Sequence, residues 1–196
     1  MRPDSPHLKP KHSALLLMDF QPAVLGSLDE PSRSAVLERA QTALSWARAE
    51  GLAVVHVRVA LTEADLAGIS TNNRAFAGLP GTGMLVEGSS ACEIIDNLKP
   101  ERDEMVVRKI RFGAFSTTDL RTQLGVARIE SLVLAGVSTS GVVLSTIRDA
   151  ADQDFQLFVL ADACADPDST VHSVLVERVF PYQAYVITTA DLPQLI

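Results

Sequence analysis

Cysteine is scarce in this chain. Cys92 and Cys164 are the only two in 196 residues, at a spacing that fits no zinc or redox motif. Two cysteines in a chain of this size build no disulfide framework, so both are expected as packed, free thiols. Long apolar runs are missing as well. Stretches such as 14–18 and 131–135 are far too short to span a bilayer, and no membrane partner is expected. No low-complexity tract, block of like charge or internal repeat is present. The formal net charge is −7 with both signs interspersed. A duplex-binding protein shows a basic stripe, and its absence here removes nucleic acid from the expected partners. The polar stretch 1–11 lacks the apolar region of a signal peptide, which points to a cytoplasmic location.

Several catalytic signatures are also absent. There is no Gly-x-Ser-x-Gly elbow and no loop ending in Gly-Lys-Ser/Thr. Gly136 and Gly141 do not fit G-x-G-x-x-G, and the strand before them is not the first. His7, His12, His56 and His172 stand alone, none with a second histidine or a carboxylate at ligand spacing. Neither a metal nor a cofactor is expected.

What remains is a chain with 47% hydrophobic and 21% charged residues, enough for one compact domain with a buried core. Short apolar runs at 14–18, 52–57, 105–107, 132–135, 157–160 and 184–187 are rich in Val, Leu and Ile and barely alternate. That pattern belongs to strands buried on both faces. Between them lie helical periods. One spans 32–50, with Val36, Ala40, Ala43, Leu44 and Ala47 on one face and Gly51 as its stop. A shorter one spans 117–124, with Ser116 as N-cap and Gly125 as stop. A third covers 140–154, and Asp168 caps a last one burying Val171, Val174, Leu175 and Val179. Repeated strand, helix, strand predicts an α/β fold: three layers, α/β/α, around a mainly parallel, Rossmann-like sheet. The segment 62–98, rich in Gly, Ser and Asn, keeps no period; a connection of that length suits a pocket lid or an oligomer contact.

In an open parallel sheet, ligands bind outside the carboxyl ends of the strands. Asp19 follows the first strand, Arg58 the second, Lys109 the third and residues 136–141 the fourth. A carboxylate after an apolar strand is costly unless a cation or donors compensate it, and Lys109 is the natural partner. The pair can serve proton transfer, or it can be a plain structural ion pair. The turn 136–142 leads into a helix whose free amides suit an oxyanion, although a generic strand-to-helix turn would look the same.

Together these residues resemble the isochorismatase-like superfamily, which includes nicotinamidases, carbamoylsarcosine amidohydrolases and isochorismatases. The resemblance rests on Leu-Leu-Met-Asp19-Phe20-Gln21, on Val-Arg-Lys109-Ile-Arg111-Phe-Gly-Ala-Phe115 and on Ala-Gly136-Val137-Ser138-Thr-Ser-Gly141-Val142, followed by Arg148-Asp149-Ala150 on the next helix. It covers nearly the whole chain, as a single domain at 13–196 behind an N-terminal arm at 1–12. It implies six parallel strands, Asp19 as general acid/base, Lys109 in support, a non-proline cis bond at Val137–Ser138 and an oxyanion site completed by the amide of residue 142. Association as a dimer or tetramer is a further expectation of the resemblance.

One position departs from that pattern. Where most of these relatives carry a cysteine nucleophile, this chain has Val142, which offers no lone pair. The metal ligands of nicotinamidases are missing too, since the stretch after the second strand reads His56-Val57-Arg58. True isochorismatases also lack the cysteine but carry glycine there, so isochorismate is only one candidate substrate. The resemblance then implies a hydrolase of a small, anionic molecule that works without a thioester. Phe20, Gln21 and Phe115 would contribute to the substrate pocket, and Arg58 or Arg111 would bind a substrate carboxylate. The alternative is a catalytically degenerate relative that binds a metabolite or a protein partner.

Overall fold

The computed structural model describes residues 7–196; residues 1–6 of the expected N-terminal arm lie outside the described residues. Of the rest of that stretch, Leu8 is buried and its amide donates to the Leu195 carbonyl at 2.7 Å.

Strand β1 (Ser13–Met18) is buried at every position, as an apolar run covered on both faces must be. A short turn of helix, α1 (Pro22–Leu25), leads to α2 (Glu30–Glu50). This long helix starts two residues before the apolar period does, because Asp29 accepts from the Ser32 amide and a proline occupies the first turn. It ends at Gly51, whose φ of 73° is the left-handed cap. Its buried face is Val36, Ala40, Ala43, Leu44 and Ala47. Strand β2 (Ala53–Val59) follows, and then the irregular segment, which holds α3 (Glu63–Ala67) closed by a Thr62–Asp65 capping box. Leu61 forms a single parallel bridge with Val86, closing that segment at its base.

Next come β3 (Met105–Lys109) and α4 (Leu120–Val126). The expected Ser116 cap is not made: its hydroxyl donates to the Gly113 carbonyl, and the helix begins at Leu120. Gly125 lies inside the helix rather than ending it, and the turn out is made by Arg128 at φ 56°. Strand β4 (Ser131–Val137) is again buried throughout. A wide π turn, Thr139–Val143, winds into α5 (Leu144–Ala151), where the sequence period predicted one helix from 140. Strand β5 (Gln156–Ala165) runs longer than the apolar run suggests, so Cys164 is in the strand rather than after it. Asp168 caps α6 (Ser169–Val174) as expected. Leu175 is buried, but Val171 and Val174 are 37% and 50% exposed, so that helix covers less of its apolar face than its sequence implies. Strand β6 (Tyr185–Ile187) completes the sheet.

All five strand pairings are parallel, in the order β3-β2-β1-β4-β5-β6. Alternate residues of the central strands feed two cores. Leu15, Leu17, Val133 and Ala135 pack with α2 on one side. Leu16, Met18, Leu132 and Leu134 pack with α4 and α5 on the other. No described helix is long and apolar enough to cross a membrane.

The chain builds the sheet outward from β1, first to β2 and β3 and later to β4, β5 and β6. The strand order therefore reverses between β1 and β4, and a crevice opens at their carboxyl ends.

Candidate active site

That crevice receives Asp19 from the end of β1 and the turn from the end of β4. Asp19 is buried and takes a left-handed backbone with φ 60°. Its amide donates to the Val57 carbonyl, and its own carbonyl accepts from Gln21, so the bend is tied on both sides. Lys109, the last residue of β3, reaches past β2 to place Nζ 2.7 Å from Asp19 Oδ2. Nζ also donates to the Arg111 carbonyl at 3.0 Å. Both side chains are almost wholly removed from water. Burial raises the Asp19 pKa to about 6, against the charge and hydrogen bond of Lys109, which pull it down. The second carboxylate oxygen, Oδ1, is buried without a hydrogen-bond partner. An unpaired buried acceptor costs free energy and is a natural point of contact for a ligand or a transferred proton.

The turn after β4 begins with a cis peptide between Val137 and Ser138. It is held from behind: Thr139 Oγ1 lies 2.8 Å from His172 Nδ1, and the Ser140 amide donates to Asp166 at 2.7 Å. Gly141 leaves room for its neighbours, since a Cβ there would lie 2.6 Å from Ser138 Oγ, where the hydroxyl now stands, and 3.5 Å from the Phe112 ring. Val142 is buried and faces the same space.

The space itself is a cavity of about 140 Å3. Its polar lining is Asp19, Lys109, Arg111 and Ser138; its apolar lining includes Val59, Val137, Val142, Phe76, Leu85 and Phe112. A cavity this small and this apolar fits only a small molecule. Among the sequence-predicted site residues, then, Asp19, Lys109, Arg111, Val137, Ser138 and Val142 come together, with Gly141 behind them.

Four others are placed elsewhere. Phe20 is buried in the core beneath α2. Gln21 is fully buried as a clamp: it accepts from the Val59 amide at 2.8 Å and donates to the Val59 and Cys92 carbonyls. Arg58 makes a two-pronged bond to Glu87 at 2.6 and 3.0 Å, on a separate, wider groove of about 970 Å3 with Pro22, Lys99 and Val106. Phe115 is half-buried and stacks on Phe155 with centroids 6.1 Å apart. In each case a protein group already occupies the side chain.

Sequence reasoning missed Phe76, Leu85 and Phe112. Phe112 could have been found, since it stands three residues after Lys109. Phe76 and Leu85 sit in the aperiodic segment, where no pattern marks them. Neither cysteine lines the cavity. Cys92 is buried below the Gln21 clamp, and burial pushes the Cys164 thiol up to about 12. Among the described residues, no three His, Cys, Asp or Glu side chains gather as metal ligands would.

The isochorismatase-domain family model matches residues 13–191. Phenazine biosynthesis protein PhzD1 of Pseudomonas aeruginosa is 30% identical over 94% of this chain and 86% of its own. The ureidoacrylate amidohydrolase RutB of Acinetobacter baylyi is 29% identical, over 83% of this chain and 74% of that one. Among solved structures, an isochorismatase family protein from Burkholderia thailandensis is similar with a TM-score of 0.82 at 26% identity, covering 97% of this chain and 98% of the other.

Proposed function

The chain belongs to the isochorismatase family, and from that premise we propose that it hydrolyses a small, anionic metabolite by acid–base chemistry at Asp19 and Lys109, without a covalent thioester. The observation that carries this reading is the buried Asp19–Lys109 pair, 2.7 Å apart, with Oδ1 of the carboxyl group left free at the wall of the cavity. A carboxyl group poised near pH 6 holds a useful protonated fraction at neutral pH and can both give and take a proton. Lys109 neutralises the carboxylate once the proton has left.

Val142 defines what this centre does not do. It stands where a cysteine nucleophile would, it is buried, and it has neither a lone pair nor a proton to exchange. With a vinyl ether, Asp19 would protonate the terminal alkene carbon and leave an oxocarbenium ion. Water would add to that ion and return a proton to Asp19. Collapse of the resulting hemiketal releases an alcohol and a ketone, so one water is consumed per ether cleaved. Hydrolysis as the general reaction is supported by the names of two relatives, a ureidoacrylate amidohydrolase and a probable isochorismatase.

Val142 also favours a second reading, in which the cavity binds a metabolite and catalyses nothing. A hydrolysis screen over vinyl ethers, amides and ureides separates the two, run on the parent protein, Asp19→Asn and Val142→Cys. Turnover in the parent that falls at least a hundredfold in Asp19→Asn supports the acid role. A silent parent with amide hydrolysis only in Val142→Cys supports the binding reading. Turnover indifferent to Asp19→Asn overturns the mechanism.

A further inference from the structure

The charges lining the cavity do not balance. Asp19 and Lys109 cancel one another at 2.7 Å, and the other charged side chain in the lining is Arg111. Among the described residues the Arg111 guanidinium forms no ion pair, and its one hydrogen bond is to the carbonyl of its own neighbour, Ile110, at 2.6 Å. A guanidinium has five N–H donors, so most of its donor capacity is unspent. The other arginine expected at the site, Arg58, has its charge paired with Glu87 through a two-pronged bond. In a chain of formal net charge −7, the walls of this cavity therefore carry one uncompensated positive charge.

The position of that charge is fixed by aromatic rings. The Arg111 guanidinium carbon lies 5.3 Å from the centre of the Phe76 ring, within the range of a cation–π contact. Phe76 in turn meets Phe112 edge to face, with centroids 5.0 Å apart and planes at 71°. Phe76 comes from the irregular segment between β2 and β3 and is 6% exposed, whereas Phe112 is 47% exposed. One ring is thus packed behind the guanidinium while the other stands open over the turn, against Gly141.

We propose that Arg111, Phe76 and Phe112 form a recognition subsite for a flat carboxylate, in which Arg111 takes the carboxylate fork-on and Phe112 covers the planar group. Phe76 acts as a positioning residue that holds the guanidinium flat. The assignment rests on the hydrolase reading only for what happens next at Asp19; the binding step stands by itself. A guanidinium meets a carboxylate with two parallel N–H donors, which selects for a planar anion over a point charge. Phe112 then discriminates by shape, because a saturated ring is thicker than an aromatic or conjugated one.

Benzoate is a direct probe, with cyclohexanecarboxylate and benzyl alcohol as the non-planar and the uncharged analogues. Titration calorimetry is expected to show benzoate binding to the parent at least tenfold more tightly than either analogue. Arg111→Gln should weaken benzoate at least tenfold, with Arg111→Lys falling between, while Arg58→Gln leaves it unchanged. Phe112→Ala should erase the preference for benzoate over cyclohexanecarboxylate while both still bind. Thermal melting of each variant shows whether it is folded, and Arg111→Lys, which keeps the charge, guards against a loss due to packing. Undetectable benzoate binding in the folded parent overturns the proposal. So does binding that survives Arg111→Gln or is lost in Arg58→Gln. The acid–base mechanism is read from turnover in Asp19→Asn and the carboxylate subsite from benzoate binding to the parent and the Arg111 variants, so the failure of one is distinguishable from the failure of the other.

Discussion

Lys109 Nζ lies 2.7 Å from Asp19 Oδ2, across the end of a strand to which neither belongs. Asp19 leaves β1 and Lys109 ends β3, and β2 runs between them. Lys109 is level with Val59, the last residue of β2, so its side chain leaves the sheet where β2 ends and turns across to Asp19, which follows the end of β1. Gln21 fastens that end of β2 by bonding both polar groups of the Val59 backbone.

This pairing fixes an expected pH dependence. Asp19 is raised to about 6, first by burial and despite Lys109, so as a general acid it is half protonated near that pH. The quotient kcat/KM should be level below pH 6 and fall about tenfold per unit above it. Lys109→Met removes the group that pulls this pKa down, so the falling limb should move to higher pH. Breaking a buried pair should also cost about 3–5 kcal/mol in urea unfolding. A limb that stays in place in Lys109→Met would show that another group controls it.

Gly136, near the end of β4, and Gly141, in the turn that follows, should respond differently to the same methyl group. At Gly136 a Cβ would lie 2.9 Å from both the Met18 Cβ and the Met18 carbonyl oxygen, on the strand paired with it. Backbone cannot step aside there, so Gly136→Ala should lose about 1–3 kcal/mol of stability. At Gly141 the close atom is the Ser138 hydroxyl, which can rotate away. Gly141→Ala should melt near the parent temperature yet bind benzoate more weakly, because the new methyl group intrudes between Ser138 and Phe112. Equal melting losses in the two variants would contradict this account.

Glu104 should stabilise the protein in a pH-dependent way, far from the site. Burial acts to raise its pKa, but hydrogen bonds from Arg48, the Glu101 amide and His56 outweigh this and bring it to about 2. A depressed carboxyl pKa stabilises the fold above the ordinary value of 4.5, and the effect is lost as pH falls toward 2. Glu104→Gln should therefore be less stable than the parent by on the order of 1–3 kcal/mol at pH 7, discounted for the partial exposure of Arg48. Urea titrations at pH 7 and pH 3 should show that gap narrowing in acid. An equal gap at both would mean that the effect is packing and not charge.

The sequence by itself determined the architecture, and the reason is periodicity. Fully buried strands such as β1 and β4 need unbroken apolar runs, and α2 needs Val36, Ala40, Ala43, Leu44 and Ala47 on one stripe, so both patterns are visible in a single string. Asp19 and the turn at 137–142 were legible because each directly follows or closes such a run, and Lys109 because it ends the short strand whose apolar run is 105–107. What the string could not decide was which of the polar groups at that edge stays free. Arg58 and Arg111 look alike in sequence, but Glu87 returns from a distant loop to occupy the first, while the second meets the face of Phe76 and the carbonyl of its own neighbour, Ile110. Gln21 and Phe115 were likewise taken by Val59, Cys92 and Phe155, partners fixed by packing rather than by spacing. The same limit hid Phe76, whose segment folds through short helical turns, isolated turns and one bridge instead of a repeating pattern. Local chemistry places a residue at the edge of the sheet; only contacts between distant parts of the chain settle whether it is spent there or left for a ligand.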